Sequence, residues 1–198
     1  MIVTGIETAG KGKYSVYLDG QLAFVLYKSE LSRYEVREEE ELSGETYEEI
    51  LKEVLLKRAQ ARSLYLLKSM DRTEYQVRQK LKEGKYPEQV VEEVIRWLYG
   101  FHYLDDRRYA ENYISLKKGS RSRRQIMQDL TLRGISKEMI EEILEEDGPG
   151  DETELIRRWI DKKHIDPENA EPKEIQKLYQ FLVRKGFRTG DIAKVLKW

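Results

Sequence analysis

The chain contains no cysteine, two histidines and four prolines in 198 residues. Without cysteine there are no disulfides, no thiol nucleophiles and no thiolate metal ligands. His102 and His164 are isolated from each other and lack the paired acids of a zinc or iron site. We therefore expect no metal and no cofactor, and the lack of cysteine fits a reducing cytoplasm.

Long hydrophobic runs are also missing. No apolar segment has the length of a membrane span, and residues 1–18 lack the apolar stretch of a signal peptide. Charged residues make up 37% of the chain, so its helices should have narrow buried stripes and broad solvated faces. The sequence predicts a cytoplasmic protein that does not contact a membrane.

Catalytic motifs are absent from the chain as well. Gly10-Lys11-Gly12 is too short for a P-loop and lacks its Gly-Lys-Ser/Thr ending. No nucleophile elbow or triad-like arrangement occurs, and the carboxylates fall in helix-face runs such as 38–41. We expect no catalytic residues, and an enzyme is the least favoured class of function.

The first thirty residues are rich in β-branched and aromatic side chains, which favour strands. The predicted strands are 2–8, 14–18 and 22–26. Gly10 and Gly12 bracket the first turn, and Asp19-Gly20 is a strong hairpin signal for the second. A sheet of about three strands is too small to be stable alone, so it should pack on the rest of the chain.

After residue 29 the hydrophobic period becomes helical and then repeats. An offset of 49 aligns 71–81 with 120–130 and continues without a gap, and a third copy follows at an offset of 52. Each copy contains three helical patterns, and one copy has little core of its own. The sequence therefore predicts a mainly α protein, an elongated tandem array of three-helix repeats with a small N-terminal antiparallel β-sheet.

The predicted domains follow from the repeat. They are a sheet extension at 1–45, a first repeat with a leading helix at 46–104, a second repeat at 105–147 and a third repeat at 151–198. Gly148-Pro149-Gly150 between the last two is the expected hinge.

Capping signals predict where the helices begin. Thr46 with Glu49 and Asp71 with Glu74 have the spacing of capping boxes, and Ser120 is the expected cap in the second copy.

Glycines predict where the second helix of each copy ends, at Gly134 and at Gly186. In the first copy Gly84 lies one position early, so that turn should differ slightly.

The helical stripes predict which aromatic side chains are buried. The offset of 49 places Ala61 on Ala110 and Tyr65 on Ile114. Tyr65 is therefore expected in the core, together with Trp97, and not as a stacking platform for bases.

Charge is segregated along the chain although its net value is −1. Residues 117–124 carry five basic residues and no acid, whereas 137–154 carry nine acids and one base. The candidate partner-binding residues are Lys117, Lys118, Arg121, Arg123 and Arg124, with Arg72 as the counterpart of Arg121 in the first copy.

Three of these arginines are predicted at a helix N-terminus, where each cation costs about a few tenths of a kcal/mol. We interpret this cost as a sign of contact with phosphates or with an acidic protein face. The alternative is a solvated face that is neutralised by the acidic helix of the same repeat.

The combined motifs resemble the RecX family of recombination regulators. The residues that carry the resemblance are Arg72 to Leu81, Tyr103-Leu104-Asp105-Asp106, Arg108-Tyr109-Ala110, Arg121 to Leu130 and Gly134-Ile135. The resemblance covers 58–198, and Tyr17-Leu18-Asp19-Gly20 with Phe24 is similar to the extension of longer members.

The resemblance implies that the chain binds the RecA recombinase. Members of the family bind in the helical groove of the RecA–DNA filament, bridge adjacent protomers and inhibit ATP hydrolysis and strand exchange. The expected partner is thus RecA and its nucleoprotein filament, with a weak direct contact to DNA. Nothing in the sequence demands a dimer, so a monomer is expected.

Two other classes of function compete with this interpretation. A direct DNA-binding protein would use helix-turn-helix-like units and place 121–124 on phosphates, although the acidic balance of the chain disfavours it. A purely structural scaffold would leave the basic residues unexplained. Changing Arg121, Arg123 and Arg124 together to Glu is expected to leave the fold intact and to weaken inhibition.

Overall fold

The computed structural model describes residues 1–148 and 151–197, which form a small sheet followed by helices. The strands are β1 (Val3–Gly10), β2 (Lys13–Leu18) and β3 (Gln21–Tyr27). The helices are α1 (Lys28–Arg33), α2 (Gly44–Glu49), α3 (Lys57–Ser69), α4 (Glu74–Glu83), α5 (Glu88–Gly100), α6 (Asp106–Lys117), α7 (Arg123–Leu132), α8 (Lys137–Glu146), α9 (Thr153–Lys163), α10 (Pro172–Arg184) and α11 (Thr189–Leu196). The chain divides into two compact units, Met1–Asp105 and Asp106–Trp198.

The sheet is antiparallel in the order β1-β2-β3, as predicted. Lys11 and Gly12 have φ of 51° and 72°, and Asp19 and Gly20 have φ of 48° and 83°. Both hairpins therefore use two-residue loops with positive φ at both positions, the geometry that matches strand twist. The Asp-Gly signal in the sequence is confirmed.

The sheet is stable because one of its faces joins the core of the first helical repeat. The buried side chains of that face are Val16, Leu18, Phe24 and Leu26. They form a single cluster with buried side chains of α3, α4 and α5, among them Ala59, Val77, Leu81, Val91 and Val94. Trp97 packs half-buried against the same cluster, as expected for a residue of the apolar stripe.

The leading helix runs without a break from α2 to α3. Ile50–Leu56 between them is π-helical, so helical backbone is continuous over 44–69. The helix begins at Gly44, and the hydroxyl of Ser43 accepts the N–H of Thr46 at 3.0 Å. The predicted capping box that began at Thr46 is therefore wrong.

The helices α4 and α7 begin with matching capping boxes. The Thr73 hydroxyl accepts the N–H of Gln76 at 3.3 Å, and the Ser122 hydroxyl accepts the N–H of Gln125 at 3.2 Å. In both boxes the glutamine side chain accepts the N–H of the cap residue in return. The caps predicted at Asp71 and Ser120 lie two residues too early. Glutamine can take the place of glutamate at N3, so the pairs Thr73–Gln76 and Ser122–Gln125 satisfy the same rule.

The first helix of the first repeat aligns with the first helix of the second repeat at an offset that differs from the predicted one. Ala59 and Ser63 are fully buried and correspond to Ala110 and Ile114, which is an offset of 51 and not 49. A shift of two residues turns a side chain by about 200° around a helix. For this reason Tyr65, which was expected in the core, is 76% exposed.

The turn that ends α4 has the same backbone as its counterparts. Lys85 has φ of 58°, where Gly134 and Gly186 have 83° and 87°. Gly84 has φ of −77°, and a Cβ at that position would lie 2.8 Å from the Tyr86 ring. The prediction that this turn differs is therefore wrong: a lysine adopts the left-handed conformation, and the glycine makes room for the tyrosine.

The second unit contains two hydrophobic clusters, one per repeat. The first joins α6, α7 and α8 around Ile126, Leu130 and Ile140, and the second joins α9, α10 and α11 around Ile156 and Leu182.

The two clusters of the second unit are connected through a close backbone approach. The Ser122 hydroxyl donates to the Lys185 carbonyl at 2.8 Å, and a Cβ on Gly186 would lie 2.9 Å from the Ser122 Oγ. Pro149 and Gly150, which belong to the predicted hinge, lie outside the described residues.

Candidate functional site

The basic cluster (Lys117, Lys118, Arg121, Arg123 and Arg124) lies between the end of α6 and the first turn of α7. These elements belong to the second unit, so the structure brings together five of the six candidate residues. The capping box of Ser122 fixes where α7 begins and therefore which way each arginine leaves the backbone.

The Arg123 side chain is hydrogen-bonded to the backbone within the second unit. Its guanidinium donates to the Leu144 carbonyl at 2.6 Å and to the Gly148 carbonyl at 2.5 Å. Leu144 lies in the last turn of α8, where helical carbonyls have no partner within the helix, and Gly148 follows the helix by two residues. The backbone N–H of Arg123 also donates to Glu152 Oε1 at 2.7 Å. Arg123 is thus a structural arginine that caps the acidic helix.

Two other members of the basic cluster form ion pairs at the surface. Arg121 contacts Asp129 at 2.5 Å, and Lys118 contacts Asp147 at 2.9 Å, with both cations about half exposed. Asp147 follows the last residue of α8, so the pair of Lys118 matches only in part the alternative of neutralisation by the acidic helix. An exposed ion pair of this kind contributes about 0–1 kcal/mol, so a stronger anion can replace Asp147. Asp129 is half-buried and also accepts the Tyr113 hydroxyl at 2.8 Å, which holds Arg121 more firmly.

The remaining two members keep most of their charge available. The Arg124 side chain is exposed and makes no hydrogen bond or ion pair with any residue in 1–148 or 151–197. The Lys117 ammonium lies 5.9 Å from the centre of the Tyr113 ring. Such a contact leaves the amino group free to donate to an anion.

Arg124 also lines a groove between the second and third repeats, which we call the repeat groove. Its volume is about 580 Å³. Arg188, the N-cap residue of α11, lies on the same groove, and so do Glu141, Glu145 and Glu152. The apolar lining consists of Met127, Leu144, Val183 and Phe187. The groove therefore presents both signs of charge beside an apolar surface, which suits a protein segment better than a phosphate.

Sequence reasoning missed Arg188. The third helix of the second repeat begins with the cap Ser136, which accepts an N–H, whereas arginine has no acceptor to offer. An arginine at a cap position is the signal that could have identified it. Its proximity to Arg124 depends on how the two repeats pack and is not visible in the sequence.

Glu152 is the most buried acid in the repeat groove, with 7% of its surface exposed. Its Oε2 has no hydrogen-bond partner among the described residues. Burial raises the pKa of Glu152, and the N–H of Arg123 acts against this shift. The folded protein therefore binds a proton at this carboxyl more tightly than the unfolded chain does.

We expect Glu152→Gln to gain stability relative to the wild type as the pH rises from about 4 to 7. A raised pKa contributes stability that is present below the unfolded value of about 4.3 and lost as pH rises through the folded value. A glutamine at this position carries no charge, so the free energy of unfolding of the variant does not fall in this way as pH rises. Urea unfolding at a series of pH values measures the difference, with Glu154→Gln on the exposed face as the control. If the difference in stability between Glu152→Gln and the wild type did not change with pH, a raised pKa of Glu152 would be contradicted.

Arg72 belongs to the unit Met1–Asp105, whereas the basic cluster belongs to the second unit. Arg72 precedes the cap Thr73 and is half-buried. Its Nε has no hydrogen-bond partner among the described residues. A role for Arg72 in partner binding stays a prediction.

Within 1–148 and 151–197 no three His, Cys, Asp or Glu side chains come together as metal ligands. No helix in this part of the chain has the length and apolar character needed to cross a membrane.

Comparison with known families identifies the repeats. The model described as "RecX, first three-helix domain" matches residues 59–98, the second three-helix domain matches 105–144, and the third matches 150–196. These matches cover more than half of the chain. The chain belongs to the RecX family. The resemblance seen in the sequence is confirmed, and so are the three tandem three-helix repeats.

Individual RecX proteins are similar over nearly the whole chain. Regulatory protein RecX of Caldanaerobacter subterraneus subsp. tengcongensis is 33% identical over 199 residues, covering 99% of this chain and 98% of the relative. Regulatory protein RecX of Limosilactobacillus reuteri is 31% identical over 183 residues, covering 91% and 69%.

Solved structures agree with this assignment. A crystal structure of regulatory protein RecX has a TM-score of 0.66 and 28% identity, covering 99% of this chain and 98% of that chain. The structure of RecX from Lactobacillus salivarius has a TM-score of 0.62 and 22% identity, covering 72% and 94%, and supports the fold alone. The chain is thus a member of a family of regulatory proteins.

Proposed function

We propose that this chain binds the RecA–DNA filament in its helical groove and inhibits RecA's ATP hydrolysis and strand exchange. Membership of the RecX family carries the proposal, since the relatives are named as regulatory proteins. The regulator itself has no catalytic step, acts as a monomer in the cytoplasm, and alters ATP turnover only through its partner.

The second unit offers surfaces that suit such a partner. Arg124 and Lys117 are cations without an ion-pair partner among the described residues, and Lys118 has only an exposed partner, Asp147. Charges of this kind speed encounter and set register more than they add affinity. The repeat groove beside Arg124 presents acids and bases together, which a protein partner can match in detail.

Direct binding of DNA through the basic cluster is less favoured. Affinity for DNA depends on the number of phosphates that are neutralised. Arg123 is bonded to the carbonyls of α8, while Arg121 and Lys118 are paired with carboxylates of their own chain. Two of the five cationic groups remain without such partners, which is few for a protein that binds DNA by itself.

The decisive experiment measures RecA's single-strand-DNA-dependent ATP hydrolysis while the protein is titrated in. We expect inhibition well below one regulator per RecA protomer, because a bound regulator affects several protomers of a cooperative filament. A parallel titration on DNA without RecA is the control. Unchanged turnover, or a decline only when the protein coats the DNA, would contradict the proposal.

The double variant Lys117→Glu with Arg124→Glu tests the surface. We expect the concentration for half-inhibition to rise about tenfold, because two unpaired cations become anions while the internal Arg123 is kept. Lys173→Glu with Lys177→Glu on the exposed face of α10 is the matched control, with the same change in net charge. Equal inhibition by both variants would remove the basic cluster from the interface.

A further inference from the structure

A second group of cations lies in the unit Met1–Asp105, where the sheet meets the first repeat. We call it the sheet–repeat patch. It consists of Lys13, Arg58, Arg62 and Lys85, with the rings of Tyr27 and Tyr86. No motif of the sequence and no element of the proposed function accounts for it.

Tyr27 is the centre of one half of the patch. It pairs with Lys13 across the β2–β3 ladder, and the Lys13 ammonium lies 5.5 Å from the centre of its ring. The Arg58 guanidinium lies 4.7 Å from the same centre and donates to the Val25 carbonyl at 3.1 Å. An ion pair with Glu30 fixes Arg58 further. The ring is 37% exposed, so its two cations are held in place beside solvent.

Tyr86 and Arg62 belong to the same part of the unit. Burial raises the pKa of the Tyr86 hydroxyl, and the positive charges of Arg58 and Arg62 oppose that shift. The Nε of Arg62 is shielded from solvent and has no hydrogen-bond partner among the described residues. Because this Nε is shielded, Arg62 contributes its positive charge to the patch and not a hydrogen bond from that atom.

Two acids that lie close to the patch are already engaged. Glu30 is paired with Arg58. Glu7, which faces Ser15 across the β1–β2 ladder, accepts the Tyr17 hydroxyl at 2.9 Å. Counting both acids against the four cations, the patch keeps a positive balance.

Lys85 gives an independent reason to regard the charge as functional. It occupies a left-handed position, φ 58°, that glycine fills in the other two repeats. A side chain in this conformation is unfavourable, and glycine would relieve it. Yet the lysine side chain reaches the sheet, where its ammonium donates to the Ser15 hydroxyl at 3.3 Å. The chain therefore keeps a cation at a position where stability favours its loss.

We propose that the sheet–repeat patch binds the phosphodiester backbone of a nucleic-acid strand. Cations interleaved with aromatic rings are the combination by which proteins hold single strands, with phosphates on the cations and sugars or bases against the rings. An acidic protein face would match the charge but gives no use for the Tyr27 ring, which carries two cations. This inference does not depend on the proposed function, because it concerns another unit and a ligand without RecA.

The test is fluorescence anisotropy of a labelled oligothymidine of about 20 nucleotides, without RecA, over a series of salt concentrations. The variant Lys13→Gln with Lys85→Gly should lower the affinity about tenfold at low salt. It should also reduce the slope of log K against log salt by about 1.4, since each phosphate contact on a single strand contributes about 0.7. Lys173→Gln with Lys177→Gln removes the same charge from the third repeat and should leave both quantities unchanged.

The single variant Lys85→Gly separates binding from folding. It should raise the melting temperature by a few degrees, because the left-handed backbone no longer carries a side chain, and still weaken binding of the oligonucleotide. Three results would overturn the inference: no binding by the wild type, equal losses in patch and control variants, or a patch variant that binds like the wild type. A patch variant that keeps its DNA affinity but loses RecA binding would assign the patch to a protein partner instead. Each outcome leaves the ATPase test of the proposed function separate.

Discussion

Replacing Arg123 with Ala is expected to lower the free energy of unfolding by about 2–3 kcal/mol, because two helix-terminal carbonyls lose a charged donor. The side chain bonds Leu144 and Gly148 at the end of α8 and so ties α7 to that helix. The neighbouring Arg124 makes no such bond, and Arg124→Ala should change stability by less than about 0.5 kcal/mol. Urea unfolding of the two variants compares adjacent residues of the same type.

The same comparison revises the charge-reversal experiment suggested by the sequence. Changing Arg121, Arg123 and Arg124 together to Glu would place a carboxylate against the carbonyls at the C-terminal end of α8, where the helix dipole repels it. We now expect that triple variant to destabilise the second unit, so a loss of inhibition would say nothing about binding. If Arg123→Ala and Arg124→Ala proved equally stable, the internal role of Arg123 would be wrong.

Gly186→Ala is expected to lower the free energy of unfolding by about 2–3 kcal/mol. Left-handed backbone, φ 87°, accounts for about 1 kcal/mol, and a Cβ placed 2.9 Å from Ser122 Oγ and 3.1 Å from Arg124 Cβ adds the cost of overpacking. Gly148→Ala is the control, since its φ is 89° and a Cβ there meets no atom of residues 1–148 or 151–197 within 4 Å. Thermal or urea unfolding should show a loss of about 1 kcal/mol for the control.

A functional result should accompany this change. The contact of Gly186 with Ser122 and Arg124 holds one side of the repeat groove. We expect Gly186→Ala to weaken inhibition of RecA although every charged residue is retained, while Gly148→Ala inhibits normally. Full inhibition by a folded Gly186→Ala protein would show that the spacing of the two repeats does not matter for the partner.

Several errors of the sequence-based prediction have one physical cause, which is that a local pattern fits more than one register. Glu74 lies three positions after Asp71, and Gln76 lies three positions after Thr73, but only the second pair forms the capping box. Both pairs satisfy the rule for a capping box. Packing of Val77 into the core selects between them, because the helix must begin where that side chain can be buried.

The same cause explains the misplaced Tyr65. An alignment without gaps is correct from α4 onwards. The segment from the buried Ala59 to Val77, however, is two residues longer than the corresponding segment from Ala110 to Ile126. The buried positions Ala59 and Ser63 are small, so the stripe they form is weaker in the sequence than the neighbouring leucines and tyrosine. Burial of small residues where helices approach closely is visible only in three dimensions.

The sequence by itself determined what short-range chemistry decides. The hairpin at Asp19-Gly20, the helical repeat and the membership of the RecX family depend on residues a few positions apart or on motifs in order. Tertiary structure alone decided the site. Arg123 reaches carbonyls 21 and 25 residues away, and Ser122 reaches a carbonyl 63 residues away. A run of arginines looks uniform in sequence, but whether each is a cap, an ion pair or a free cation depends on which helix packs beside it.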